Sequence, residues 1–408
     1  MAFIVFSCAN DDTIVVVECT APASFSVNNS TTTTVTISWL SNNNGISYSI
    51  EYGLSGFTLG NGTMTDSDIP SIVLAGLNAS TTYDIYVKTI CSVSNESMFS
   101  TVFSFSTSAD PVVAEFLPNL SDLNLFSGDL SNLLPNPNAF EYKLVTPLFT
   151  DYAHKLRFMA LPQGQSMIYD GEGFPIFPEG TLLAKTFYYN YNELDLSAGR
   201  KIIETRILIR ENNSWNIGNY VWNDDQTDAA LDPSGHLIPI SWINEQGQNM
   251  STEYQVPVNS DCLACHSNSG ETTIIGPKTR TMNFEVNGEN QLETFIENGH
   301  LIGAPPVTQI TALPNWEDTS FSLEERSRAY FDVNCAHCHS VGGYCETQSP
   351  LRLTYETPLN QSNIIERQNQ ILARMENYVE GFSMPFIGTT LAHSEGFDLI
   401  QEYINSLE

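Results

Sequence analysis

Basic residues are scarce. The chain has 408 residues, of which 16 are Lys or Arg and 47 are Asp or Glu, giving a formal net charge of −31. So large a negative excess repels phosphate backbones and anionic lipid faces. It excludes charge-driven binding to nucleic acid or to an anionic membrane surface. It favours solubility and suits a basic protein partner. Long apolar runs are also missing. No stretch of about 18 apolar residues is present to span a bilayer as a helix. Hydrophobic residues make up 41% and aromatics 11% of the chain, which argues against global disorder. At this length two or three domains are expected.

Cysteine is limited to eight residues, and four of them form two copies of one pattern. Cys262-Leu263-Ala264-Cys265-His266 is the first, and Cys335-Ala336-His337-Cys338-His339 is the second. C-x-x-C-H is the attachment signal for c-type haem. The two thiols form thioethers with the haem vinyl groups, and the His reaches the iron as proximal ligand. Two copies imply two covalently attached haem c groups. The competing reading is a structural zinc site with a C-x-x-C pair at each end. That reading gives no reason for a His directly after both second cysteines.

Cys19 and Cys91 bracket a segment of short alternating runs, and a disulfide between them is expected. The alternative is two unrelated buried thiols. Covalent haem and a disulfide both require an exported, oxidising compartment. The N-terminus has a short apolar run but no basic flank, so it is not a full signal peptide. Val5-Phe6-Ser7-Cys8, followed by Ala-Asn-Asp-Asp, resembles the end of a bacterial lipoprotein signal. The resemblance implies that Cys8 is lipidated and that residues 1–18 form a tether. It also implies a location in the periplasm or at the outer membrane and cell surface. A short buried strand with a free thiol is the other reading of Cys8. Cys345 is left without an assigned role.

Residues 19–108 alternate apolar and polar positions between Asn, Gly, Ser and Thr turns. Thr34–Leu40, Tyr48–Gly53, Ser71–Leu74 and Tyr83–Lys88 are examples. The spacing predicts an all-β sandwich. Trp39, the Leu77–Tyr83 spacing and a last strand at Ser100–Ser106 resemble a fibronectin type III domain. That family commonly serves as a spacer or adhesion module, so the function is expected elsewhere.

Residues 109–140 are rich in Pro, Asn, Ser and Leu, which predicts a linker or a loop lying on the next domain. Residues 141–255 read as a second β-rich domain, with strand-like runs at Lys155–Met159, Thr181–Tyr189 and Lys201–Ile209. Its histidines, His154 and His236, are not spaced as a metal pair. Residues 256–319 are expected to carry the first haem, with extended chain before Cys262. Residues 320–408 are expected to form a compact second haem domain. There Ser322-Leu-Glu-Glu325 is a capping box that opens a helix ending at the second motif. Ser394 is expected to cap a closing amphipathic helix.

This pair of helices around a C-x-x-C-H resembles the class I cytochrome c fold. The span from about 115 to 408 resembles a family of bacterial two-haem c-type cytochromes, largely of unassigned role. The shared stretches are Leu148–Ala153, Phe177–Phe187, Ile203–Arg206, Tyr220–Asp228, the two motifs, and Arg374-Met-Glu with Ser383-Met-Pro. The fold class expected overall is multidomain and mixed: a β-sandwich, a β-rich domain and a mostly helical haem region.

A sixth iron ligand is needed for electron transfer, and a thioether raises the potential. Met384, followed by Pro385, resembles the distal-ligand loop of small cytochromes c, with Met375 as fallback. For the first haem Met282 is the leading candidate, with His300, Met250 and an open site as alternatives. His337 is expected to face solvent. Lys278 and Arg280 are expected to pair with haem propionates. The function expected is an exported di-haem cytochrome passing electrons to or from a redox protein. The alternatives are a peroxidase-like haem enzyme with an open first site, and an adhesion protein acting through its first domain.

Overall fold

The computed structural model describes residues 18–41 and 47–407, and the expected tether with Cys8 lies outside them. The chain divides into two compact units, Met1–Asp110 and Pro111–Glu408.

The first unit is a β-sandwich. One sheet joins β1 (Ala23–Ser30), β2 (Thr34–Leu40) and β5 (Ser71–Ala75). The other joins β3 (Ser47–Leu54), β4 (Thr63–Ser67), β6 (Thr82–Ser92), β7 (Asn95–Glu96) and β8 (Phe103–Ser106). The strict period of two sets the core. Val35, Ile37 and Trp39 point inward from β2, and Tyr83, Ile85 and Val87 from β6. The Tyr83 hydroxyl accepts a hydrogen bond from the Asn78 backbone N–H at 2.9 Å, closing the corner before β6. A disulfide joins Cys19 to Cys91.

The second unit is built on a six-stranded antiparallel sheet. Its strands are β9 (Phe140–Glu141), β10 (His154–Ala160), β12 (Leu182–Asn190), β13 (Arg200–Glu211), β14 (Ser214–Trp222) and β15 (Ala229–Leu231), while β11 (Met167–Ile168) lies outside it. One face carries Phe158, Leu182, Ala184, Ile207 and Ile209. Leu120, Leu123, Leu125, Phe126 and Leu133 cover that face. Of the two expectations for 109–140, the structure shows the second from residue 111 onward: the segment lies on the next domain and completes its core. Its apolar residues would otherwise leave this side of the sheet in water. The hairpin of β16 (His236–Ile243) and β17 (Asn249–Val256) packs Ile240, Trp242, Tyr254 and Val256 on Phe187, Tyr189 and Ile203.

The opposite sheet face meets short helices: α1 (Asn259–Cys265), α2 (Thr279–Met282) and α3 (Gln291–Glu297). The extended approach expected before Cys262 is instead the first turn of α1. Three longer helices, α4 (Leu323–Asn334), α6 (Ile364–Met375) and α7 (Ser394–Asn405), together with the single-turn α5 (Leu359–Ser362), complete the unit. Phe331, Ile371, Leu399, Ile400 and Tyr403 join these helices in one core. The capping box forms: Ser322 Oγ accepts from the Glu325 N–H, and Glu325 Oε2 accepts from the Ser322 N–H. At α7 the N-cap is His393, and Ser394 is the first helical residue, its hydroxyl against Tyr152 and Glu395. No helix among the described residues is long and apolar enough to cross a membrane.

Candidate functional site

The first C-x-x-C-H motif closes α1 and the second directly follows α4, and the fold brings them together. The nearest ligand atoms of Cys265, His337 and Cys338 all lie within 4.8 Å of one another. The Cys338 thiol, and then His337, hold Cys265 below the usual thiol range, while Cys338 itself is pushed up. Cys345 hydrogen-bonds to Cys338. His337, expected to face solvent, is half-buried and belongs to this cluster, because α4 delivers it against the end of α1.

Cys262 and His266 are buried. Thr273 O lies 2.9 Å from His266 Nδ1. A carbonyl accepts only, so Nδ1 carries the proton and Nε2 is left with its lone pair. Burial, reinforced by Lys185, pushes His266 down to about 3, so the ring stays neutral at ordinary pH. A neutral imidazole with one nitrogen tied to a carbonyl and the other free is the form that binds a metal. Burial likewise pushes His339 down to about 4. Its Nδ1 is buried without a hydrogen-bond partner among the described residues.

A cavity of about 800 Å³ opens at His266. Ligand sites commonly enclose about 300–1,000 Å³. Its walls come from the sheet face (Leu183, Lys185, Leu208, Trp215), the chain after the first motif (Ile274, Lys278) and α4 with the second motif (Asp332, Ala336, His337). The volume, the apolar wall and the presence of His266 in that wall fit a flat macrocycle held by the first motif, although Cys262 and Cys265 themselves do not line the cavity.

The remaining candidates are more scattered. Met282 is fully buried in the cluster with Tyr142, Leu183 and Trp215 that walls the cavity. Met384 lies between α6 and α7, where its N–H donates to Arg374 O at 2.9 Å. Met375 joins the helical core and Met250 the hairpin core. His300 stacks on Phe140 at 4.0 Å between centroids. His154 and His236 each meet a carboxylate at 2.7 Å, from Glu193 and Asp232 respectively.

Lys278 and Arg280 are already committed. Lys278 Nζ bonds both oxygens of Asp332, at 3.0 and 3.1 Å, and Arg280 bonds Asp332 at 2.9 Å and also Glu356. The scarce positive charge expected to meet haem propionates is here neutralised by Asp332 from α4. Arg157 and Lys185, which were not expected, reach the cavity from the sheet. Their alternation with apolar residues along β10 and β12 was the only signal.

Comparison with known proteins bears on the first unit. Residues 20–106 match the Fibronectin type III domain family. This segment is a fibronectin type III domain. Similar solved structures include one titled "Myokine structure", at 21% identity over 22% of this chain and 99% of that one, with a TM-score of 0.20. Another is the fn3 domain of human collagen alpha-1(XX) chain, at 16% identity over 22% and 85%, with a TM-score of 0.20. A third is the fibronectin type-III domain of human fibronectin type III domain containing protein 3, at 25% identity over 23% and 90%, with a TM-score of 0.20. No curated protein matches the chain.

Proposed function

We propose that the chain is an exported di-haem c-type cytochrome, a carrier that passes electrons to or from a redox partner. The observation that carries the reading is the meeting of two C-x-x-C-H motifs in one compact unit, with Cys265 against Cys338 and a cavity at His266. A relay needs its two centres close, and the closeness of these thiols supplies that. The haem supplies one-electron chemistry when bound. With haem loaded, two cysteines of each motif would hold the group, His266 and His339 would serve as neutral iron ligands, and apolar side chains would shield the first group from water. Met384 is the proposed second axial ligand at His339, and Met282 the candidate at His266. The acidic surface favours a basic redox partner and a salt-sensitive association rate.

A second reading rests on the same cluster. Cys265, His337 and Cys338 offer three ligand atoms for a zinc ion, with Cys345 beside them. Expression in a host that attaches haem c separates the two. Intact mass should rise by two haems, and the reduced protein should show the absorption of haem c. A chain that gains no haem mass but holds zinc after dialysis overturns the cytochrome reading.

A further inference from the structure

The sheet face toward the cavity carries a row of like charges. Arg157 on β10 stands opposite Lys185 on β12, which stands opposite Arg206 on β13. Like charges directly opposite one another across a sheet are destabilising. Arg206 is neutralised: it chelates Glu204 through Nε and an Nη nitrogen, and Glu204 also accepts from the Tyr254 hydroxyl. Arg157 and Lys185 have no such partner. Among the described residues neither forms an ion pair or a side-chain hydrogen bond, yet Arg157 is only 7% exposed. Four cations line the cavity, and Lys278 and Arg210 are matched by Asp332 and Glu179. Buried Arg157 and half-buried Lys185 therefore face the same space with no ion-pair partner among the described residues, in a chain with only 16 basic residues.

An isolated buried cation is costly, and it persists where an anion completes it. Burial, with Arg206 and Arg157 nearby, pushes Lys185 down to about 7, so its charge is weakly held near neutral pH and would be strengthened by an anion beside it. Beyond the charged row the same face continues as Met159, Leu183 and Leu208, which is apolar. The cavity wall is thus amphipathic, with a flat apolar half and a cationic edge. A ligand that fits is flat, apolar over most of its area and anionic at one rim.

We propose that Arg157 and Lys185 form a carboxylate seat that receives the propionates of the haem bonded to Cys262 and Cys265. This inference rests on the di-haem reading and adds the residues that orient the group. Arg157 offers paired N–H donors to one carboxylate, and Lys185 offers a point charge.

The test uses the full chain loaded with haem. Mass is read first, so a chain without haem overturns the di-haem reading itself. On loaded protein, Lys185→Gln and Arg157→Gln should leave haem content unchanged. Each should shift the propionate bending band in the resonance Raman spectrum and lower the midpoint potential of one haem only. Lys185→Arg should keep the wild-type potential. Arg157→Lys keeps the charge but loses the paired donors, so the band should shift while the potential stays. It serves if the neutral variants do not fold. Variants that load both haems with unmoved bands and potentials overturn the seat. A free dicarboxylate such as succinate, bound by loaded wild type and lost in Lys185→Gln, also overturns it, because the seat would then be open to solutes.

Discussion

Asp332 receives Arg280 at 2.9 Å with its own side chain 1% exposed and that of Arg280 3% exposed. The pair ties α4, which leads to the second motif, to the segment that follows the first. Lys278 binds the same carboxylate, so two cations depend on one acid.

Removing that acid should be severe. Breaking a buried pair from one side costs about 3–5 kcal/mol, because the remaining charges are stranded. Asp332→Ala should lower the melting temperature of the second unit well below that of Asp332→Asn, which keeps a hydrogen-bond acceptor. Calorimetry reads both.

The Cys19–Cys91 disulfide should matter to the first unit alone. Replacing both cysteines with Ser is expected to cost about 2–5 kcal/mol. Denaturant unfolding should show an earlier transition for the sandwich, with the transition of the second unit unmoved.

Acid should weaken the second unit through His393. Burial against Phe149, Trp316 and Tyr330 pushes it down to about 4, with Glu395 acting in the other direction. The unfolded chain takes up the proton near pH 6.5 and the folded chain does not. Stability from this group is therefore complete above about 6.5 and falls as pH drops toward 4. The loss is on the order of 3 kcal/mol. His393→Gln should flatten that part of a melting-temperature profile.

Met384→Ala in the haem-loaded protein should abolish the weak red band of thioether-ligated ferric haem and lower one midpoint potential, leaving both haems attached. An unchanged spectrum would remove Met384 from the iron.

The sandwich was legible because its strands bury every second residue. Trp39 and Tyr83 stood out in that rhythm, and both lie in the core. The helix before Cys335 was legible through Ser322 and Glu325, whose reciprocal bonds need only local chain. The helix before Cys262 was not. Asn259-Ser-Asp offers little apolar periodicity, and this short helix owes its stability to tertiary packing rather than to its own sequence. Leu120, Leu123, Leu125 and Leu133 follow neither a helix nor a strand period, so nothing local showed that they join a sheet. The pairing of Arg157 with Lys185 depends on strand register, and the meeting of Cys265 with Cys338 on two distant segments. Spacing alone carries neither.

The interleaving of residues 111–140 with the large sheet also decides where the polypeptide can be divided. A cut after Asp110 falls at the boundary of the two compact units. A cut after residue 140, which composition alone invites, strips Leu120, Leu123, Leu125, Phe126 and Leu133 from Phe158, Ile207 and Ile209. The shorter fragment would expose a continuous oily surface and aggregate, whereas a fragment beginning at Pro111 would keep that surface sealed.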